Sequence, residues 1–257
     1  MKILITGCKG GIGLDAARRL AARGHSVYAT VHNEGSIENV RANFGVNATN
    51  VTVEKLDVTD AADREKAGRW DIDIIINNAA IGDSGPLAEI EIERIRGVME
   101  VNVFGALELT RKFIPRMAER KSGRIIFIGS MAGLMPTPFL APYGMSKFAL
   151  ESIAFSLRTE LKPFGINVVM VNPGGYHTDF NQKNIGKKYE WMDSSVLYKG
   201  HMDVIKKSES MIIRSELKDT AGIARQIVRA VEDKKPKRRY VAPVWQWWLI
   251  PLLRERA

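Results

Sequence analysis

The chain has 257 residues, 45% apolar and 26% charged, which excludes a disordered chain and lets one α/β domain absorb the whole length. Its single cysteine, Cys8, excludes an internal disulfide and any zinc site built on cysteine pairs, and fits a reducing, cytoplasmic setting. The net charge of +9 would suit an anionic partner, yet the basic residues are scattered apart from Lys234, Lys235, Lys237, Arg238 and Arg239, and no nucleic-acid-binding motif is present.

In chain order, Lys2–Thr6 reads as a strand that runs into glycines, with no room before it for a signal peptide. Gly11–Arg23 reads as a helix, with Ile12, Ala16, Leu20 and Arg23 at helical spacing and Gly24 as its stop. Val27–Val31 and Val51–Leu56 are the next strands, and Ala61–Lys66 is a weak helix. Ile72–Ile76 is a fourth strand, apolar enough to be buried on both faces. A helical pattern extends from about Glu89 to Arg120, followed by a strand at Arg124–Ile128, a helix at Tyr143–Leu161 and a strand at Ile166–Val171. Thr220–Val231 is a helix and Arg239–Ala242 a last strand. This alternation predicts an α/β fold: one doubly wound domain over residues 1–257, with a parallel sheet of about seven strands and helices on both faces. Residues 176–217 or so read as an insertion over the strand ends, and 243–257 as an aromatic-rich tail.

The first strand enters Thr6-Gly7-Cys8-Lys9-Gly10-Gly11-Ile12-Gly13 and then a helix. Glycines let a backbone approach a pyrophosphate closely, and the helix that follows offers free N–H groups and a positive dipole end. Two spacings fit. Gly7, Gly11 and Gly13 match TGxxxGxG, whereas Gly7, Gly10 and Gly13 match TGxxGxxG. The turn alone does not choose between them.

Tyr143 and Lys147 stand four residues apart on one helix face. An unperturbed tyrosine has a pKa of about 10, and an ammonium beside it favours the phenolate. Ser130 ends the fifth strand, at the carboxyl edge where open α/β sheets bind ligands, and its hydroxyl could hold a substrate oxygen. Asn102 sits inside a helical pattern although asparagine is a mediocre helix former. It is either a packing residue or one with a task.

Taken together, Thr6–Gly13, Asp57-Val58-Thr59, Asn77-Asn78-Ala79-Ala80, Asn102, Ser130, Tyr143/Lys147 and Pro173-Gly174-Gly175-Tyr176-His177-Thr178 resemble the classical short-chain dehydrogenase/reductase family, in family order over residues 1 to about 180. Ala80 departs from the family's usual glycine. The resemblance implies a Rossmann-type fold, a homodimer or homotetramer, and roles for the matched positions. Tyr143 exchanges the proton, Lys147 tunes it and meets the nicotinamide ribose, Ser130 orients the substrate oxygen, and Asn102 supports a water in the relay. Gly7, Gly11, Ile12 and Gly13 border the cofactor phosphates. Asp57 and Val58 border the adenine, Asn77, Asn78 and Ala79 the cofactor's middle, and Pro173, Gly174 and Thr178 its carboxamide end.

An acidic residue at the end of the second strand would select NAD by binding the ribose 2′-hydroxyl. Val31 stands there instead, with His32 and Lys9 near the places where NADP-preferring relatives carry basic residues. NADP is therefore the expected cofactor, with NAD as the alternative and no metal.

Met131, Leu134, Met135, Pro138, Phe139, Leu140, Tyr189, Trp191, Met192, Leu197 and Met202 are expected to line a lipophilic alcohol or carbonyl substrate, or else simply to pack. The tail Val244–Leu253, beside the basic cluster, would meet a membrane peripherally, its own subunit or a partner subunit. Cys8 and His177 are expected to be a small loop residue and a cleft wall. The expected function is hydride transfer between NADP(H) and a secondary alcohol or carbonyl compound. The alternatives are a cofactor-binding sensor on the same fold, which would not need the reactive residues, and an extended-branch epimerase or dehydratase, which would need more chain after residue 180.

Overall fold

The computed structural model describes residues 1–45, 48–176, 180, 195–201, 203, 205–207, 210, 213 and 216–254. Seven strands form one sheet: β1 (Lys2–Ile5), β2 (Ser26–Val31), β3 (Val51–Lys55), β4 (Ile74–Asn77), β5 (Gly123–Ile128), β6 (Ile166–Pro173) and β7 (Arg239–Ala242). Their spatial order is β3-β2-β1-β4-β5-β6-β7, and every neighbouring pair is parallel. The chain therefore winds outward twice from β1, and the order reverses between β1 and β4. Ligands bind at the carboxyl ends of the strands at such a switch point.

Side chains alternate across the strands, so each strand feeds two cores. Ile3, Ile5, Ile74 and Ile76 pack with Ala16, Ala17 and Leu20 of α1 (Gly11–Ala22) and with Ile223, Ile227 and Val231 of α7 (Ala221–Glu232). Leu4, Ile75, Ile125 and Phe127 pack on the other face against Leu109, Phe113 and Met117 of α5 (Ala106–Glu119) and Leu150 and Ala154 of α6 (Ala141–Glu160). The near-unbroken apolar runs of β4, β5 and β6 follow from burial on both faces. Two smaller helices complete the crossovers, α2 (Ile37–Arg41) and α3 (Ala61–Gly68), the latter capped by Asp60, which accepts from the N–H groups of Ala62 and Asp63.

Two expectations need correction. The long helix from Glu89 to Arg120 is α4 (Ile92–Met99), a π-helical turn (Glu100–Gly105) and α5. A Cβ on Gly105 would stand 2.7 Å from the Val58 carbonyl oxygen, and Asn102 is tied to Ile81, so the helix bulges where it crosses the end of β3. The fourth strand begins at Ile74 rather than Ile72, and just before it the Asp73 carboxylate accepts from the Lys2 N–H. The tail is a helix, α8 (Val244–Arg254), laid against the edge strand β7.

Candidate active site

The glycine turn is braced by the loop after β4. A Cβ on Gly7, whose φ is +73°, would lie 2.7 Å from the Ala79 Cα. One on Gly13 would lie 2.4 Å from the Asn78 amide nitrogen and 2.7 Å from the Gly7 oxygen. These two glycines are therefore required by packing. Thr6, fully buried, accepts through Oγ1 from the N–H groups of Asn78 and Ala79 at 3.0 and 2.9 Å, and the Asn78 amide donates back to the carbonyls of Thr6 and Gly7 at 2.8 and 3.0 Å. Gly10 is different. A Cβ there would meet nothing within 4 Å, and Gly10 caps α1 with no side-chain bond to the helix N–H groups. With Gly11 at φ +56°, the first turn of α1 presents bare, open N–H groups, which fits the diphosphate of a dinucleotide. Ile12 is half-buried against the core and Lys9 is exposed at the rim of the turn.

At the end of β2, Val31 is buried in the core, His32 is exposed, and the Asn33 amide lies 2.8 Å from His32 Nε2. No carboxylate stands at that strand end. Asp57 accepts from the Thr59 N–H and hydroxyl, which shapes the turn after β3. Val58 is buried with the second core, its carbonyl accepting from Arg64. Asn77 donates to Thr110, while its Oδ1 is buried without a hydrogen-bond partner.

The residues expected to react come together near the carboxyl end of β5. Ser130 follows β5 and its Oγ accepts from the Ala132 N–H at 3.1 Å. Tyr143 lies in the first turn of α6, with the Ser130 side chain near enough to its phenol to favour the phenolate. Lys147, one turn on and 3% exposed, donates to the Ile128 carbonyl at 2.9 Å, and its Nζ lies 5.5 Å from the centre of the Tyr143 ring. Burial pushes the Tyr143 phenol up to about 12 against the opposing effect of Ser130, and burial pulls Lys147 down to about 8. Desolvation is the leading effect at both groups.

Asn102 is 1% exposed. Its carboxamide binds the N–H and carbonyl of Ile81, both at 2.8 Å, and donates to Ser146 Oγ at 2.9 Å, which in turn donates to the Tyr143 carbonyl at 2.7 Å. Asn102 therefore ties the start of α6 to the loop after β4, and Ser146, which sequence reasoning did not single out, is the link.

A second undetected group holds Ser130. The Asn172 amide donates to the Ser130 carbonyl at 3.2 Å and to Glu151 at 2.7 Å, and Arg239 clamps Glu151 and Asn172 together at 2.6 Å. A polar Asn172 near the end of the apolar strand β6 was the one local signal of it. At the end of β6, Pro173 is buried, and the Gly174 N–H just beyond it donates to the Ala242 carbonyl.

Of the residues expected to line the substrate, Met131, Leu134, Met135, Phe139 and Leu140 are half-buried and Pro138 is exposed. Phe139 holds a left-handed φ of +62°, its carbonyl accepts from the Gly85 N–H, and its ring meets Tyr198 edge-on at 5.7 Å. Glu89 gathers the chain at this wall by accepting from the Ser195 hydroxyl and the N–H groups of Val196 and Leu197, and Leu197 is otherwise exposed. The Phe180 ring lies 5.4 Å from that of Tyr143. His177, Thr178, Tyr189, Trp191, Met192 and Met202 lie outside the described residues.

Comparison with known proteins places this geometry. Residues 1–188 match the family model for short chain dehydrogenases. The chain is similar to human 17-beta-hydroxysteroid dehydrogenase type 1, 33% identical over 99% of this chain and 80% of that one. It is also similar to an NADPH-dependent 3-dehydrocapnine reductase of Ornithobacterium rhinotracheale, 30% identical over 93% of this chain and 86% of that one. Among solved structures, a short chain dehydrogenase/reductase from Burkholderia phymatum in complex with NAD superposes with a TM-score of 0.82 at 20% identity, over 99% of this chain and 92% of that one, which bears on the fold. With its glycine turn, its Ser130–Tyr143–Lys147 cluster and these relatives, the chain belongs to the short-chain dehydrogenase/reductase family and is an NAD(P)-dependent oxidoreductase acting on CH–OH groups.

Proposed function

We propose that the protein transfers hydride between NADP(H) and a lipophilic secondary alcohol or the matching carbonyl compound, with Tyr143 as the general acid/base. The observation that carries this reading is the gathering of Ser130, Tyr143 and Lys147 at the carboxyl edge of the sheet, with Lys147 Nζ 5.5 Å from the centre of the Tyr143 ring. The open N–H groups of the first turn of α1 would hold the diphosphate, and Lys147 the ribose beside Tyr143. The bound nicotinamide supplies or accepts the hydride. In reduction Tyr143 Oη donates its proton to the substrate oxygen, which Ser130 Oγ orients, and in oxidation Tyr143 takes the proton back.

NADP is favoured because Val31, not a carboxylate, ends β2, leaving exposed His32 to face a 2′-phosphate. The name of the NADPH-dependent relative agrees with this choice. A lipophilic substrate is supported by the apolar wall of Met131, Leu134, Met135 and Phe139 and by the hydroxysteroid named in the human relative.

The test is titration with NADPH and NADH followed by fluorescence, with turnover of a panel of steroidal and aliphatic ketones. Tighter NADPH binding with ketone-dependent oxidation is expected. Preference for NADH would overturn the cofactor reading, and tight cofactor binding without turnover on any ketone would favour a sensor.

A further inference from the structure

Helix α8 has two faces. Gln246 and Ile250, one turn apart, are buried at 5% and 8% exposure, and Gln246 Oε1 accepts from the Gly175 N–H at 3.1 Å. That contact seats the helix beside the turn that follows β6, at the carboxyl edge of the sheet and next to the mouth of the cleft. On the other side, Val244 and Trp245 are each 54% exposed and Trp248 is 73% exposed. Trp245 and Trp248, three residues apart, form one outward stripe. The Arg239 guanidinium lies 5.3 Å from the Trp247 ring centre, so the first turns of α8 run alongside the start of β7. Exposed Lys234, Lys235, Lys237 and Arg238 lead directly into that strand.

We propose that this face docks on an anionic membrane surface, with Trp245 and Trp248 entering the interfacial layer and the Lys234–Arg238 turn meeting the lipid headgroups. Indole rings beside lysine and arginine suit the boundary between headgroup and acyl chain, where an apolar body and a polar edge are both satisfied. Charge selects this occupant. The acidic neighbours are engaged elsewhere: Glu232 pairs with Arg23 and His25, and Asp233 accepts from the Tyr240 hydroxyl. The cluster therefore presents a positive field outward. A second copy meeting the same face about a two-fold axis would set one basic cluster against the other, which is unfavourable, whereas an anionic bilayer neutralises it. Among the described residues no helix is long and apolar enough to cross a membrane, so α8 lies on the surface.

The proposal is independent of the substrate reading and is tested without turnover. Full-length protein is sedimented with vesicles of phosphatidylcholine alone and of phosphatidylcholine mixed with phosphatidylglycerol. Binding to the mixed vesicles only, weakened by salt and with tryptophan emission quenched by brominated lipid, is expected. Trp245→Ser/Trp248→Ser and Lys237→Glu/Arg238→Glu should each lower the partition coefficient about ten-fold or more while leaving the far-ultraviolet spectrum and cofactor binding unchanged. No cosedimentation with either vesicle overturns the proposal, as does binding of both double variants at the native level. Sedimentation velocity covers the rival occupant: if Trp245→Ser/Trp248→Ser dissociates an oligomer and the native protein ignores vesicles, the face is a subunit interface.

Discussion

Replacing Thr6 by valine keeps the volume of a fully buried side chain and removes one oxygen. That oxygen accepts from two backbone N–H groups, of Asn78 at 3.0 Å and Ala79 at 2.9 Å, at the point where the loop after β4 meets the glycine turn. An unpaired buried donor costs about 1–3 kcal/mol. Asn78 and Ala79 are half-buried, so water relieves part of this cost, and the expected loss is about 2–3 kcal/mol for the pair. Urea unfolding should show a lower midpoint with an unchanged slope. Thr6→Ser keeps the oxygen and should recover most of the loss. The turn is also expected to loosen, because the Asn78 amide holds the Thr6 and Gly7 carbonyls only while its own backbone stays in place, so the Kd for NADPH should rise in step. A Thr6→Val protein within about 0.5 kcal/mol of the native one, the range of an ordinary surface change, would refute the reasoning.

Other substitutions probe the remaining parts. Gly13→Ala forces a Cβ to within 2.4 Å of the Asn78 amide, so NADPH affinity measured by fluorescence should fall about ten-fold or more through displacement of that brace. Tyr143→Phe should lower kcat by roughly 10²–10⁴-fold and leave the cofactor Kd nearly unchanged, and near-native turnover would remove Tyr143 from its assigned role. Lys147 is depressed from 10.5 to about 8, so the unfolded chain binds more protons than the native one between those values, and stability rises with pH across that window. Lys147→Met lacks this slope, so its stability relative to the native protein should decline by roughly 3 kcal/mol in total from about pH 8 to 10.5, and urea midpoints that differ equally at both ends would disprove the depression. Glu89→Gln weakens the hold on Ser195, Val196 and Leu197, and should raise KM for a bulky ketone several-fold with NADPH affinity intact.

The parts that were legible are those written in local spacing. The glycine turn, the Tyr143/Lys147 pair and the seven strands each announce themselves within a dozen residues. The π-helical turn at Asn102 did not, because one extra residue barely disturbs a helical periodicity, and its cause lies in Ile81 and Val58, far along the chain. The clamp on Ser130 was hidden for the same reason. Asn172, Glu151 and Arg239 come from β6, α6 and β7, and only the assembled sheet brings them together. Gln246 was obscured by the tryptophans around it, which drew the eye to the outward face of α8 rather than to the contact at Gly175.

The opposing shifts of Tyr143 and Lys147 bear on direction. With its phenol pushed up to about 12, Tyr143 holds its proton firmly at neutral pH, ready to donate it to a carbonyl oxygen. Oxidation needs the phenolate instead, and at about 1.4 kcal/mol per unit, ionising such a phenol at pH 7 costs roughly 7 kcal/mol. Lys147 does not offset this alone, because its own ammonium is desolvated and lies 5.5 Å from the ring. A further positive charge beside the pair would favour the Tyr143 phenolate and push Lys147 down further still. Carbonyl reduction is the direction for which the buried pair is already protonated, and alcohol oxidation is the one that should depend steeply on rising pH.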